Sequence, residues 1–225
     1  MRAGWTRLAT AGIVAITLAV LLPVFPLEVG LNRLASDLYL AAAAVGLGVI
    51  VGLGGMPSLG HGAFVALGAF GTALLSGKAG WPSEAALVVG ALVSTLAGAA
   101  VGLVAGRLRP PLVAVLTWLI AWLVAIGLAA FPALSGGAQG IALEESSIAG
   151  VHLSPTVHYE LGVAFAALAV LLFALLAQSP AGVALSASRE SRAAAESLGS
   201  PVARLRAGAF ALGGGIAGLA GGLGV

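Results

Sequence analysis

Apolar residues recur along this 225-residue chain in seven blocks, at about 8–25, 38–54, 62–77, 85–105, 111–131, 161–177 and 207–225. A helix needs about 20 predominantly apolar residues to cross the hydrocarbon core of a bilayer. The lipid interior tolerates no open, irregular backbone. The blocks therefore predict an all-α, polytopic transmembrane helical bundle of about seven spans, forming one domain over 1–225. The third block is short, which predicts a tilted or partly re-entrant element. The first follows Arg2 and Arg7 as a signal peptide would. It ends in Pro23-Val24-Phe25-Pro26 with no small-x-small cleavage site, so it is expected to be retained. The last block reaches Val225 with no polar flank, and the chain is expected to be truncated at its C-terminus.

Composition narrows the class. Sixty per cent of the residues are hydrophobic, against ten basic and eight acidic ones. So few charges cannot cover a water-soluble globule of this size, and so apolar a chain does not stay disordered. The net charge is only +2, with arginines scattered in pairs and no basic stripe, which excludes nucleic acid as a partner. There is no cysteine, hence no disulfide framework, thiolate zinc site or thiol nucleophile. His152 and His158 with Glu144, Glu145 and Glu160 fit no compact ligand spacing, so no metal is expected. No paired carboxylates or nucleophile–base set share a membrane depth. Neither catalytic residues nor a cofactor are expected, and the chain reads as a membrane protein that is not an enzyme.

Charge also orients the spans. With the N-terminus cytoplasmic, the inner segments carry Arg2, Arg7, Arg107, Arg109, Arg189, Arg192, Arg204 and Arg206, leaving Arg33 and Lys78 outside. That is the bias of the positive-inside rule. Glu28, Asp37, Glu84, Glu144, Glu145 and Glu160 fall outside, with Glu190 and Glu196 inside. No charge lies deep in a span, which argues against a proton relay or a voltage sensor. Glycines one turn apart (Gly98, Gly102 and Gly106; Gly214, Gly218 and Gly222; Gly48 and Gly52) predict close helix packing. Trp118 and Trp122, one turn apart, are read as core packing, with a substrate-facing aromatic wall as the alternative. Trp5, Tyr39, Trp81 and Tyr159 suit an interfacial belt.

Two connections are long enough to carry function. The outer one, about 132–160, contains Ser135-Gly136-Gly137-Ala138-Gln139-Gly140-Ile141. The inner one, about 178–206, predicts a short amphipathic helix at 188–198, capped by Ser186 or Ser188 and stopped by Gly199 and Pro201. Arg189, Arg192 and Glu196 share one face of it; Ala187, Ala194, Ala195 and Leu198 lie toward the other. Such a helix fits another protein's groove or rests on lipid.

The stretch RESRAAAESLGSPVARLRAGAFALGGGIAGLAGGL at 189–223 resembles the cytoplasmic coupling loop of ABC-importer permeases, with its Ala-Ala-x-x-x-Gly core at Ala194, Ala195 and Gly199. The leading Glu of that pattern is Ala193 here. Gly54-Gly55-Met56-Pro57-Ser58-Leu59-Gly60-His61-Gly62-Ala63-Phe64 and the 135–141 stretch resemble further elements of one subfamily, the inner-membrane permeases for branched-chain amino acids and related amides (LivM type). Ser135 and Gln139 stand where Thr and Asn are usual. The match covers roughly 38–223.

The resemblance implies a permease half of a bacterial inner-membrane importer. It implies a second homologous permease, two cytoplasmic ABC ATPases and a periplasmic or lipid-anchored solute-binding protein. Arg189, Arg192, Ala194, Ala195, Glu196, Leu198 and Gly199 become the ATPase-coupling residues. The sequence adds one independent point: a phosphate-binding Walker A loop needs Gly-Lys-Ser/Thr, and the single lysine, Lys78, is followed by Ala79. ATP hydrolysis would reside in a partner.

Met56-Pro57-Ser58 suggests broken helical hydrogen bonding, and broken spans often lie at transport sites. Ser58, Gly60 and His61, with Gly136, Gly137 and Gln139 of the outer element, are therefore candidates for the translocation path. His61 is placed at the inner end of the second and third spans, either at a gate, bonding backbone at a helix break, or as a plain capping or interfacial residue. Permeases for urea, short amides or a sugar, and an ATPase-independent channel or secondary transporter, stand as alternatives.

Overall fold

The computed structural model describes residues 30–137, 140–141, 147–148, 151–152 and 154–225. The first expected span, Trp5, Glu144, Glu145 and Gln139 lie outside the described residues. The fold is helical. Helix α1 (Leu31–Gly48) runs into a π-helical turn (Val49–Leu53), and α2 (His61–Ala73) into another (Leu74–Lys78). Then come α3 (Ser83–Ala105), α4 (Pro110–Ala130) and a single turn, α5 (Pro132–Ser135). A two-residue antiparallel pair, β1 (Ser147–Ile148) and β2 (Val151–His152), precedes α6 (Pro155–Gln178). Short helices α7 (Pro180–Glu190) and α8 (Arg192–Ser197) lead to α9 (Val202–Leu223).

Among the described residues, four helices are long and apolar enough to cross a membrane: α1 with its π turn, α3, α4 and α6. The glycine-rich α9 is the centre of the bundle, and it buries Phe210, Ile216 and a run of Gly and Ala against α1, α2 and α3. Its glycines make this possible, because helices associate in lipid by close backbone approach rather than by hydrophobic expulsion. Gly98 faces the Phe210 carbonyl, Gly102 faces Ala207 and Phe210, and Gly106 faces Ala203; from the other side Gly218 faces Ser94 and Gly222 faces Leu87. Both predicted runs thus form one antiparallel seam between α3 and α9. The third pair does not behave this way. Gly48 has only the Phe173 ring at ordinary distance and Gly52 has open space, while Gly46 is the residue that meets Gly213.

These contacts fix the direction of each helix. Helices α1, α3 and α6 end at one end of the bundle, which also holds α7, α8 and the start of α9. Hereafter this is the loop end. Arg107, Arg109, Arg189, Arg192, Arg204 and Arg206 gather there, while Arg33, Lys78, Asp37, Glu84 and Glu160 lie toward the opposite end.

Several expectations need correction. Helix α1 begins at Leu31 rather than near 38 and takes Arg33 and Asp37 into its first two turns. Helix α6 begins at Pro155 rather than near 161, because Ser154 accepts a hydrogen bond from the Val157 amide and Pro155 suits the first helical position. Trp118 and Trp122 are not core: both are half exposed and meet edge-to-face at 6.5 Å on the outer surface of α4. Tyr39 and Tyr159 are not a belt, since both are buried between helices. Tyr39 donates its hydroxyl proton to the His158 carbonyl at 3.1 Å, which ties α1 to α6.

Candidate translocation and coupling site

The segment after α1 does not stay at the loop end. Gly55 takes φ +62°, a conformation glycine adopts without a Cβ penalty, and the chain turns back into the bundle. Two bonds measure how far it climbs. His61 Nε2 lies 3.0 Å from the Ala43 carbonyl. A carbonyl only accepts, so Nε2 carries a proton that it donates there. Ala43 stands ten residues before the end of the α1 π turn, about 15 Å at 1.5 Å per residue. The Leu59 amide donates to Thr117 Oγ1 at 3.0 Å, and Thr117 is seven residues into α4, about 10 Å. Helix α2 therefore starts near the middle of the bundle, and residues 54–60 form a re-entrant stretch of non-helical backbone. His61 is correspondingly at mid-depth rather than at the inner end of the spans.

Packing holds this stretch tightly. A Cβ at Gly60 would run into the Thr117 carbonyl. Met56 is fully buried, and the His61 ring meets Phe64 edge-on at 5.8 Å. Ser58 Oγ and His61 Nδ1 are buried without a hydrogen-bond partner. Buried polar groups are normally paired, and leaving one unpaired costs about 1–3 kcal/mol. Two such atoms fall within four residues, Ser58 on the irregular stretch and His61 at the first residue of α2; Thr72 Oγ1 and Arg206 Nε are buried without a partner elsewhere in the bundle.

The loop end holds two helices where one was expected. Ser179 caps α7, with Pro180 at its first position, and Ser191 caps α8 by accepting from the Ala194 amide. Ser186 and Ser188 are not the caps: both lie within α7, and Ser188 is buried, donating to the Leu185 carbonyl at 2.7 Å. Gly199 does stop α8, with φ +82°. The Gly199 amide bonds the Glu196 carbonyl and the Ser200 amide the Ala195 carbonyl, which is the Schellman arrangement.

The break at Ser191 separates Arg189 from Arg192. Arg192 pairs with Glu196 at 2.8 Å and donates to the Gly106 carbonyl, at the end of α3, at 2.9 Å. Arg189 donates to the Gly52 carbonyl, at the end of α1, at 2.8 Å. Arg206, buried in the first turns of α9, donates to the Ser188 carbonyl at 3.3 Å. The expected apolar face also divides. Ala195 is buried against the bundle, whereas Ala194 is exposed and Leu198 stands 86% exposed.

The outer element is a separate place. Ser135 Oγ accepts from the Gly137 amide at 3.1 Å, and Gly136, Gly137 and Gly140 all have positive φ. Ser135, Gly136 and Gly137 form a tight glycine turn at the opposite end, beyond Ala130, which lies thirteen residues along α4 from Thr117, or about 20 Å. The path candidates thus fall into two groups, Ser58, Gly60 and His61 at mid-depth and Gly136 and Gly137 at the far end. Sequence reasoning missed Thr117, Gly52 and Arg206. Only Gly52 had a legible signal: in the π register its carbonyl would pair with residue 57, and Pro57 has no N–H to give. Among the described residues no group of His, Asp and Glu is placed to hold a metal ion.

Residues 29–225 match the family model described as branched-chain amino acid transport system / permease component. Two relatives carry the name high-affinity branched-chain amino acid transport system permease protein LivM. The one from Salmonella typhimurium is 32% identical over 202 residues, covering 79% of this chain and 48% of the relative. The one from Escherichia coli is 29% identical over 202 residues with the same coverage. The chain thus spans about half the length of these curated relatives. No solved structure matches.

Proposed function

This chain belongs to the permease-component family of branched-chain amino acid transport systems, and from that membership we propose that it forms half of the translocation path of an ABC importer in the bacterial inner membrane. A second, homologous permease supplies the other half. Two ATPases dock on the 178–206 segment, which faces the cytoplasm, and a periplasmic or lipid-anchored binding protein delivers the solute. The solute is a branched-chain amino acid, as the names of the relatives suggest. The chain threads the membrane in about seven spans with its N-terminus inside, in accord with the arginines gathered at the loop end.

The observation that carries this proposal is the form of the loop end. Helices α7 and α8 are bonded to the ends of α1 and α3 by Arg189 and Arg192, while Leu198 projects 86% exposed beside the Gly199 turn. A large apolar side chain held out on a rigid turn is suited to a groove on a partner. Motion of that partner would then be felt at two transmembrane helix ends. The mid-depth stretch with Ser58, Gly60 and His61 is the part of the path that such motion opens, and the Gly136–Gly137 turn is where the binding protein meets it.

The test is uptake of radiolabelled leucine by the assembled importer in proteoliposomes. Arg192→Glu together with Leu198→Asp is expected to abolish uptake while the chain still inserts into membranes. Unchanged uptake by that variant would refute the docking role.

A further inference from the structure

Resting on that reading, we infer that Arg189 is a positioning residue for transport: it links the α7–α8 pair to the re-entrant stretch at mid-depth. The end of a helix leaves carbonyls without intrahelical partners. At the end of α1 the Met56 amide is taken by the Ile50 carbonyl and the Gly55 amide by the Val51 carbonyl. The next residue, Pro57, has no amide proton. The Gly52 carbonyl is therefore open, and the Arg189 guanidinium fills the vacancy at 2.8 Å. The stem of Arg189 lies over Gly55, in the space a Cβ would occupy, at the very turn where the chain reverses into the bundle. From that turn the backbone runs through Met56 and Ser58 to His61 without another helix in between.

The other two arginines hold a different partner. Arg192 bonds the end of α3, and Arg206 belongs to α9 and bonds the end of α7. Helices α3 and α9 are locked together along the glycine seam, so these bonds set the pair of short helices on the least deformable part of the bundle. Arg189 alone, among the described arginines, reaches the non-helical part. A tilt of α7 and α8 about the Arg192 and Arg206 anchors draws on the Gly52–Gly55 turn through Arg189, and so on the backbone that buries Ser58.

These 225 residues contain no native cysteine, so Ser58→Cys places one thiol in them at mid-depth, and labelling in excess of the importer without that substitution reports on it. The experiment uses the complete importer in proteoliposomes and measures the rate of N-ethylmaleimide labelling with and without ATP plus vanadate. With Arg189 present, nucleotide trapping is expected to change the rate. Arg189→Met keeps the stem over Gly55 and removes the donor, and is expected to lose that change although the ATPases still copurify. Arg189→Lys, which restores a cationic donor, is expected to recover part of it. Arg189→Gln is measured in its place should Arg189→Met not assemble. A nucleotide-dependent change that persists undiminished without the guanidinium would overturn the role of Arg189 and leave the path reading standing. No change even with Arg189 present would overturn the path reading at Ser58, and this inference with it.

Discussion

Gly102 and Gly208 offer two substitutions of the same kind with opposite expected effects. A Cβ at Gly102 would lie 2.7 Å from Ala207 Cα and 2.7 Å from Phe210 Cβ, across the α3–α9 seam. Ordinary contact begins near 3.4 Å, so the helices must separate by more than half an ångström. A radial gap of about 0.5–1 Å forfeits roughly a quarter to a half of each contact's dispersion energy along the seam. Overpacking of this kind costs about 1–3 kcal/mol. Gly208 lies in α9 with nothing within 4 Å, and alanine there removes only the entropic cost of glycine, a gain of about 0.5–1 kcal/mol. Gly102→Ala and Gly208→Ala should therefore differ by about 1.5–4 kcal/mol, or roughly 10- to 700-fold in the unfolding constant. Reversible unfolding in mixed micelles of mild detergent and dodecyl sulfate measures the difference. Equal stabilities for the two variants would refute the seam as the element that holds the bundle together.

Thr117→Val leaves the Leu59 amide without its acceptor and should cost about 1–3 kcal/mol; Thr117→Ser should be close to neutral, and thermal unfolding in detergent separates them. Gly199→Ala meets no atom within 4 Å but must hold φ +82°. Its cost of about 1–2 kcal/mol should raise amide exchange over 194–200 by roughly 5- to 30-fold, and unchanged exchange would count against the Schellman stop.

The helices were legible wherever one physical rule dominated. Apolar length located α3 and α4 to within a residue or two, and the glycine spacing in 98–106 and 214–222 announced a seam that the structure contains. Charge misled at Arg33 and Asp37, because a helix can continue past its apolar stretch, carrying polar residues in its first turns. The start of α6 was missed although Ser154-Pro155 is a readable cap. The division of 178–206 into two helices turns on Ser191, one of several serines with equal claim to cap, and only packing chooses among them. The depth of His61 was illegible for a different reason. It is set by bonds to Ala43 and Thr117, 18 and 58 residues from their partners, and nothing local encodes such pairings. The same holds for the exposed tryptophans. An apolar helix face looks identical whether it meets protein or lipid, so the spacing of Trp118 and Trp122 could not say which.

The docking of α7 and α8 on an ATPase is tested most directly by a thiol placed at Leu198. With no other cysteine in the chain, Leu198→Cys in the membrane-assembled importer should react with membrane-impermeant maleimide only from the cytoplasmic face. A short bifunctional reagent should crosslink it to the nucleotide-hydrolysing subunit. Labelling from the periplasmic face of intact cells, or an assembled importer in which that thiol never crosslinks to the ATPase, would contradict the account.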